Sequence, residues 1–227
     1  MPEQAALGNW LTTPSNSSNT LTVIGVASQE IWREDEILAA KVDAARRVAM
    51  FHSLYGVIIH RVGPYSFERT ANFEFGTNYT EFIEQLRFDP EHDVKRYGGA
   101  VLVRFSYTTR VTPVNFVFRH DGRGRPEWLV THILPDVPGY IAMVGFAGNQ
   151  MWLRSTIMQS LENAAERMIA AISTRVRLEQ IYVSGFGLVP YAYLTSEAAL
   201  RNFRVLEFWI DPTNGSVHTL AIARLAE

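Results

Sequence analysis

The sequence predicts an α+β protein made of two tandem units, each a long helix packed on a small, mainly antiparallel sheet. Three observations lead there. One half of the chain matches the other in a gapless register offset by 120 residues. Two long segments carry apolar residues at helical spacing. Short β-rich runs and turn signals follow each of those segments.

The register is clearest at Val23-Ile24-Gly25-Val26-Ala27-Ser28 and Met143-Val144-Gly145-Phe146-Ala147-Gly148. Trp32 then matches Trp152, Ala44-Ala45 match Ala164-Ala165, and Arg47 matches Arg167. Upstream, Trp10-Leu11 resembles Trp128-Leu129, and each is followed by prolines, Pro14 in the first half and Pro135 and Pro138 in the second. Downstream, Val101–Phe105 resembles Val205–Trp209, and Trp209 closes that run. One such coincidence is weak, whereas an ordered series is the signature of duplication.

Each element has a local reason. A strand centred on Val23–Ala27 or Ile141–Ala147 contains a glycine that implies close backbone approach or a bulge. Helices follow at about 34–55 and 153–175. In the second, Ile157, Leu161, Ala164, Met168 and Ile172 form one apolar stripe, while Asp35 and Glu36 suit the positive end of the first helix. Val57–Val62, Ser66–Phe75 and Arg177–Ser184 read as strands. Closing strands are expected at Asn115–Arg119 and Leu220–Arg224, and Asn214-Gly215 marks a tight hairpin turn. An insertion at about 76–97 contains a candidate helix, Tyr79–Phe88, and Ser196–Asn202 reads as a helical turn at the equivalent place. The polar segment Asp121–Pro126 divides the units into 1–122 and 123–227.

Composition limits the function. The 227 residues are 47% hydrophobic and 19% charged, with a net charge of −2, so a packed core is available and no basic field recruits nucleic acid. With no cysteine there is neither disulfide nor thiolate chemistry. No apolar run of about 18 residues predicts a membrane span. The start, Met1-Pro2-Glu3-Gln4, lacks a signal-peptide pattern. It reads either as a natural start or as one added to a mature domain.

The sequence holds no phosphate-binding loop or nucleophile elbow. Gly185-Phe186-Gly187 reads as a bend and not as a dinucleotide fingerprint. His52, His60, His92, His120, His132 and His218 show no metal-ligand spacing. His92 lies among Asp89, Glu91 and Asp93, which read as a solvated loop, and Glu34-Asp35-Glu36 read as a charged helix start. The tryptophans Trp10, Trp32, Trp128, Trp152 and Trp209, with Gly25, Gly145, Ala44, Ala45, Ala164 and Ala165, read as structural packing positions. No catalytic, cofactor-binding or metal-ligating residue is expected.

The ordered motifs (Trp-Leu with a following proline, a Val/Ile-Gly-x-Ala strand, a helix with a central Ala-Ala, then Phe208-Trp209-Ile210-Asp211-Pro212 with Gly215 and His218-Thr219-Leu220-Ala221) resemble a family of small bacterial outer-membrane lipoproteins. That family is related to the Helicobacter-type surface lipoprotein and to the flagellar P and T proteins. The resemblance implies a strand–helix–strand–strand domain, dodecin-like in outline, present here in two copies where such proteins usually carry one. It implies no catalysis and no cofactor. It also implies a periplasmic or outer-membrane-associated structural or adaptor protein, in a flagellar or outer-membrane assembly, whose partners are other envelope proteins or itself. The family's lipidated cysteine is missing from this sequence. Phe73, Phe75, Tyr97 and Tyr107 are candidate contacts or core residues. A second reading is a small-molecule module with an apolar pocket between helix and sheet. A third is an enzyme built around His92 or His218.

Overall fold

Two helices of 20 residues each, α1 (Arg33–His52) and α4 (Leu153–Ile172), organise a mixed α/β structure. The computed structural model describes residues 7–12, 19–63, 66–76, 78–122, 124–183 and 187–225, and describes the side chains of these except 8, 9 and 175–191. Pro14, Gly185, Phe186 and Ser184 lie outside the described residues.

In the first half, a 3₁₀ turn (Gly8–Leu11) precedes β1 (Thr20–Ser28), α1, β2 (Leu54–Val62), β3 (Phe67–Phe75), a single-turn α2 (Thr80–Ile83), β4 (Val94–Tyr97) and β5 (Ala100–Thr108). In the second half come α3 (Glu127–Thr131), β6 (Ile141–Ala147), α4, β7 (Thr174–Val183), the 24-residue β8 (Gly187–Ile210) and β9 (Val217–Leu225). Two antiparallel sheets result. One has the order β1-β5-β4; the other has the order β3-β2-β8-β9-β6, with β7 also paired to β8.

The helices sit tightly on their preceding strands because those strands carry glycine. A Cβ added at Gly25 would lie 2.0 Å from the Ala40 carbonyl oxygen, and one at Gly145 would lie 1.9 Å from that of Ser160. Small residues on the facing helix complete the approach. Ala44, Ala45, Ala164 and Ala165 are all fully buried. The close backbone approach expected from Gly25 is therefore what the strand–helix crossing requires.

Three apolar clusters follow from these layers. Leu21, Val23, Val101, Val103 and Phe105 of the first sheet pack under Ala44, Ala45 and Val48 of α1. The opposite face of that sheet, Ile24, Val26 and Leu102, joins Ile157, Leu161, Met168 and Ile169 of α4 and Phe208 and Ile210 of β8 in a central cluster. The outer face of the second sheet, Leu206, Leu220 and Ile222, is covered by Val114, Trp128 and Val137. Burying each large aliphatic side chain contributes about 1.5–3 kcal/mol, so the central cluster binds the halves firmly together.

Three expectations need correction. Ser196–Asn202 is strand and not a helical turn: it lies within β8 and pairs with β2 along 192–200. Ladder bonds there outweigh the helical preference of Glu197, Ala198 and Ala199. Asn115–Arg119 is irregular chain and not a strand, and it lays Phe116 and Phe118 over the second sheet. The hairpin in the first half is instead β4 with β5, turning at Gly98 and Gly99, whose φ values of 56° and 74° suit glycine. The candidate helix Tyr79–Phe88 contracts to α2.

Candidate functional site

Among the tryptophan positions, the structure separates core from surface. Trp128 is buried on α3. Trp10 is half-buried beneath the Arg104 guanidinium, 4.8 Å from its ring centre, and Trp209 is half-buried beside His218. Trp32 and Trp152 depart from the packing expectation, being 70% and 58% exposed. Each occupies the N-cap position of its helix without capping through its side chain. The loops are held instead by side chains from the first turns. The buried Glu36 carboxylate accepts the Glu30 N–H at 3.1 Å, and the Thr156 hydroxyl accepts the Gln150 N–H at 3.1 Å. Together with their neighbours Ile31 and Met151, 90% and 88% exposed, these tryptophans form two apolar knobs.

The strongest polar constellation was not anticipated from the sequence. Glu207 on β8 is 1% exposed. Its carboxylate accepts the Thr12 hydroxyl at 3.0 Å, a His120 ring nitrogen at 2.6 Å and the Trp128 indole N–H at 2.6 Å. A buried carboxylate needs such donors, since an unpaired one is very costly. The only hint was an acidic residue inside the apolar run Val205–Trp209. Thr12, His120 and Trp128 all meet Glu207, so the group is a clasp that ties the Thr12 segment and the 120–128 turn to β8.

Other titratable groups are dispersed. His92 pairs with exposed Asp89 at 2.9 Å, and His60 meets Glu166 at 3.2 Å. His52 stacks on Phe82, and His218 lies between Phe146 and Trp209. Burial pushes the pKa values of His52 and His218 below the usual histidine range. Burial also pushes the Arg204 guanidinium down to about 10. Among the described residues no group of three or more His, Asp or Glu gathers as a metal site would require.

Two cavities lined by described residues are small or shallow. The space between α1, β1 and β8, lined in part by Val23, Arg47, Leu161 and Phe208, is about 20 Å³, room for about one water. A cleft of about 170 Å³ lies between Phe116, Trp128 and Ile133, with Arg119 and Glu127 at its walls. Its hydroxyl, on Thr131, is already bonded to the Glu127 carbonyl at 3.0 Å.

The remaining feature is a four-strand arm, β3-β2-β8-β7, built from the hairpin after α1 and the hairpin after α4. Ser196 opposes Ile58 of β2 and Thr174 of β7, so those strands flank β8 on opposite sides. The first hairpin lies across α4. Gly56 leaves room for Ile169, whose Cδ1 would be 2.3 Å from an added Cβ, and Arg69 Nε donates to Glu166 at 2.8 Å. Among the described residues the outer edges of β3 and β7 have no partner strand.

The edges of the two helix-bearing strands are treated differently. Asp43 on α1 accepts the Val26 N–H at 2.9 Å. On α4, Asn163 donates to the Phe146 carbonyl at 2.6 Å and Arg167 donates to that of Val144 at 2.7 Å. Side chains thus occupy the edges of β1 and β6. The edge of β3 is nine residues long, free of proline and mostly exposed, and such edges are templates for another strand. Of the four aromatic contact candidates, Tyr107 is buried, Phe73 and Tyr97 pack partly on the central cluster, and Phe75 is 38% exposed at the edge.

No protein-family model, no curated protein and no solved structure matches this chain. No helix among the described residues is long and apolar enough to cross a membrane.

Proposed function

We propose that the chain is a non-catalytic structural scaffold of the cell envelope, built from two tandem units, 1–122 and 123–227, and acting through protein–protein contacts at the edges of its arm. The tandem reading is supported by the bounds of α1 and α4, 33–52 and 153–172, which differ by 120 at both ends. It is also supported by the Gly25–Ala40 and Gly145–Ser160 approaches, related by the same shift. The envelope setting, periplasmic or outer-membrane-associated, rests on the likeness of the Trp10, Gly25 and Ala44-Ala45 series and its counterpart to the outer-membrane lipoproteins.

One observation carries the contact function. Helix side chains close the edges of β1 and β6, while among the described residues no strand pairs with the outer edges of β3 and β7. The apolar knobs at Ile31-Trp32 and Met151-Trp152 supply a second contact surface.

Site-specific photo-cross-linking in the producing cell tests this. A photoreactive residue at Glu68 or Glu74 on β3 gives protein adducts, whereas one at the exposed Glu127 on α3 does not. Adducts at neither edge position, or equal adducts at Glu127, contradict the scaffold role.

A further inference from the structure

The strand order of the arm contains a rule for adding a second copy of the chain. β2 and β7 each follow a long helix, and their bounds, 54–62 and 174–183, start 120 residues apart. β3 and β8 follow them as the second strands of the two hairpins. Each half thus contributes a first and a second arm strand. Across the arm the order is second, first, second, first: β3, β2, β8, β7. A twofold arrangement would place like strands together at the centre. Here the first strand of one hairpin pairs with the second strand of the other, so the contact is head-to-tail. A head-to-tail contact uses two different surfaces and leaves one of each unused at the ends. The unused surfaces are the outer edges of β3 and β7.

We propose that the β7 edge of one copy pairs antiparallel with the β3 edge of the next, repeating the β2–β8 junction already present inside the chain. The inference rests on the scaffold reading and names its partner. Directions agree, because β7 runs parallel to β2 and β3 runs parallel to β8 within an all-antiparallel arm. The register can be copied as well. Val62 opposes Phe67 in the first hairpin and Tyr182 opposes Leu188 in the second, so β2 maps onto β7 by 120 residues and β3 onto β8 by 121. Inside the chain His60 opposes Leu194 and Arg61 opposes Tyr193. Shifting β2 forward by 120 and β8 back by 121 places Gln180 opposite Phe73 of the next copy, Ile181 opposite Asn72 and Glu179 opposite Glu74. This register keeps each face of the arm continuous across the junction. Repetition of one such contact closes into a ring or continues as a filament.

The chain's lack of cysteine makes the test clean. Glu74→Cys and Glu179→Cys placed in the same chain give, under mild oxidation, a ladder of disulfide-linked multiples. Glu74→Cys with Ile181→Cys is two residues out of register and separates the sulfurs beyond disulfide reach, so its yield falls at least tenfold. In parallel, the unmodified protein in sedimentation velocity gains mass with concentration. A ladder from the aligned pair alone, with rising mass, supports head-to-tail pairing. Equal yields from both pairs, no ladder, or a single-chain mass at every concentration overturns it. If those results come with photo-adducts to other proteins at Glu68 or Glu74, self-pairing fails while the scaffold reading stands.

Discussion

The two halves of the molecule solve the same packing problem and then diverge where the arm meets the body. After α4 the hairpin runs straight on, as the single strand β8, into the second sheet. After α1 the hairpin stops at Phe75, and the chain detours through α2 before re-entering the first sheet at β4. The first arm is therefore joined to its own body by a loop and held mainly by the other half, through β8 and α4. The second arm is continuous with its body. A continuous strand transmits position directly, whereas a looped one depends on its packing. The comparison predicts that damage near β8 is felt across the molecule, and damage to the first hairpin's contacts is felt locally.

The largest effect tests the second half. Glu207→Ala removes the acceptor shared by Thr12, His120 and Trp128. Denaturant unfolding is expected to report a loss of about 3–5 kcal/mol, the scale for breaking a buried charged cluster. A loss below about 1 kcal/mol would mean the clasp is not what fixes the linker to β8.

Next come the matched glycines. Gly25→Ala and Gly145→Ala each force a methyl against backbone that cannot step aside. Each is expected to cost about 3 kcal/mol, the upper end for overpacking, and equal costs would show that the halves share this crossing. Full tolerance at one site would separate them.

Gly56→Ala addresses the first arm alone. Its methyl meets the mobile end of Ile169 and the ring of Phe73. A loss of about 1 kcal/mol is expected. Hydrogen exchange should speed up in β2 and β3 while β6 and β9 are unchanged. Uniform acceleration would show that the first arm is coupled to the bodies as tightly as the second.

The smallest effect is on pH dependence, with one histidine in each half. Burial lowers the pKa of His52 and of His218, the latter opposed by Asp211. The unfolded chain therefore takes up these protons more readily than the folded one. Stability contributed by the neutral rings is present above about pH 6.5 and is lost as pH falls through the folded values. Thermal midpoints should drop as pH falls below that point, and His52→Gln with His218→Gln should flatten the slope. An unchanged slope would assign the acid sensitivity to other groups.

Much of the local structure was legible in the sequence. The helical stripes, the Gly25 and Gly145 approaches and the Asn214-Gly215 turn all follow from neighbours along the chain. Partner choice did not. Nothing local to β2 says that it pairs with β8, because a strand's partner is set by the whole fold. For the same reason Ser196–Asn202 reads as a helical turn from its composition, and only flanking strands make it β. Asn115–Arg119 alternates as a strand does, yet its alternation serves to cover a sheet. Trp32 and Trp152 repeat like core residues, and their exposure was hidden because repetition marks conserved geometry in both halves without saying which side faces solvent. The arm edges, the candidate site itself, are backbone features that side-chain patterns do not announce.

The most direct test of the central claim is backbone amide exchange over β3 and β7 at two protein concentrations far apart. The account predicts fast exchange at alternate outward N–H groups of residues 67–75 and 174–183 when dilute, and marked slowing when concentrated, with β2 and the 192–200 segment of β8 protected throughout. Protection of β3 and β7 that is the same at both concentrations would contradict the claim that these edges are open contact surfaces.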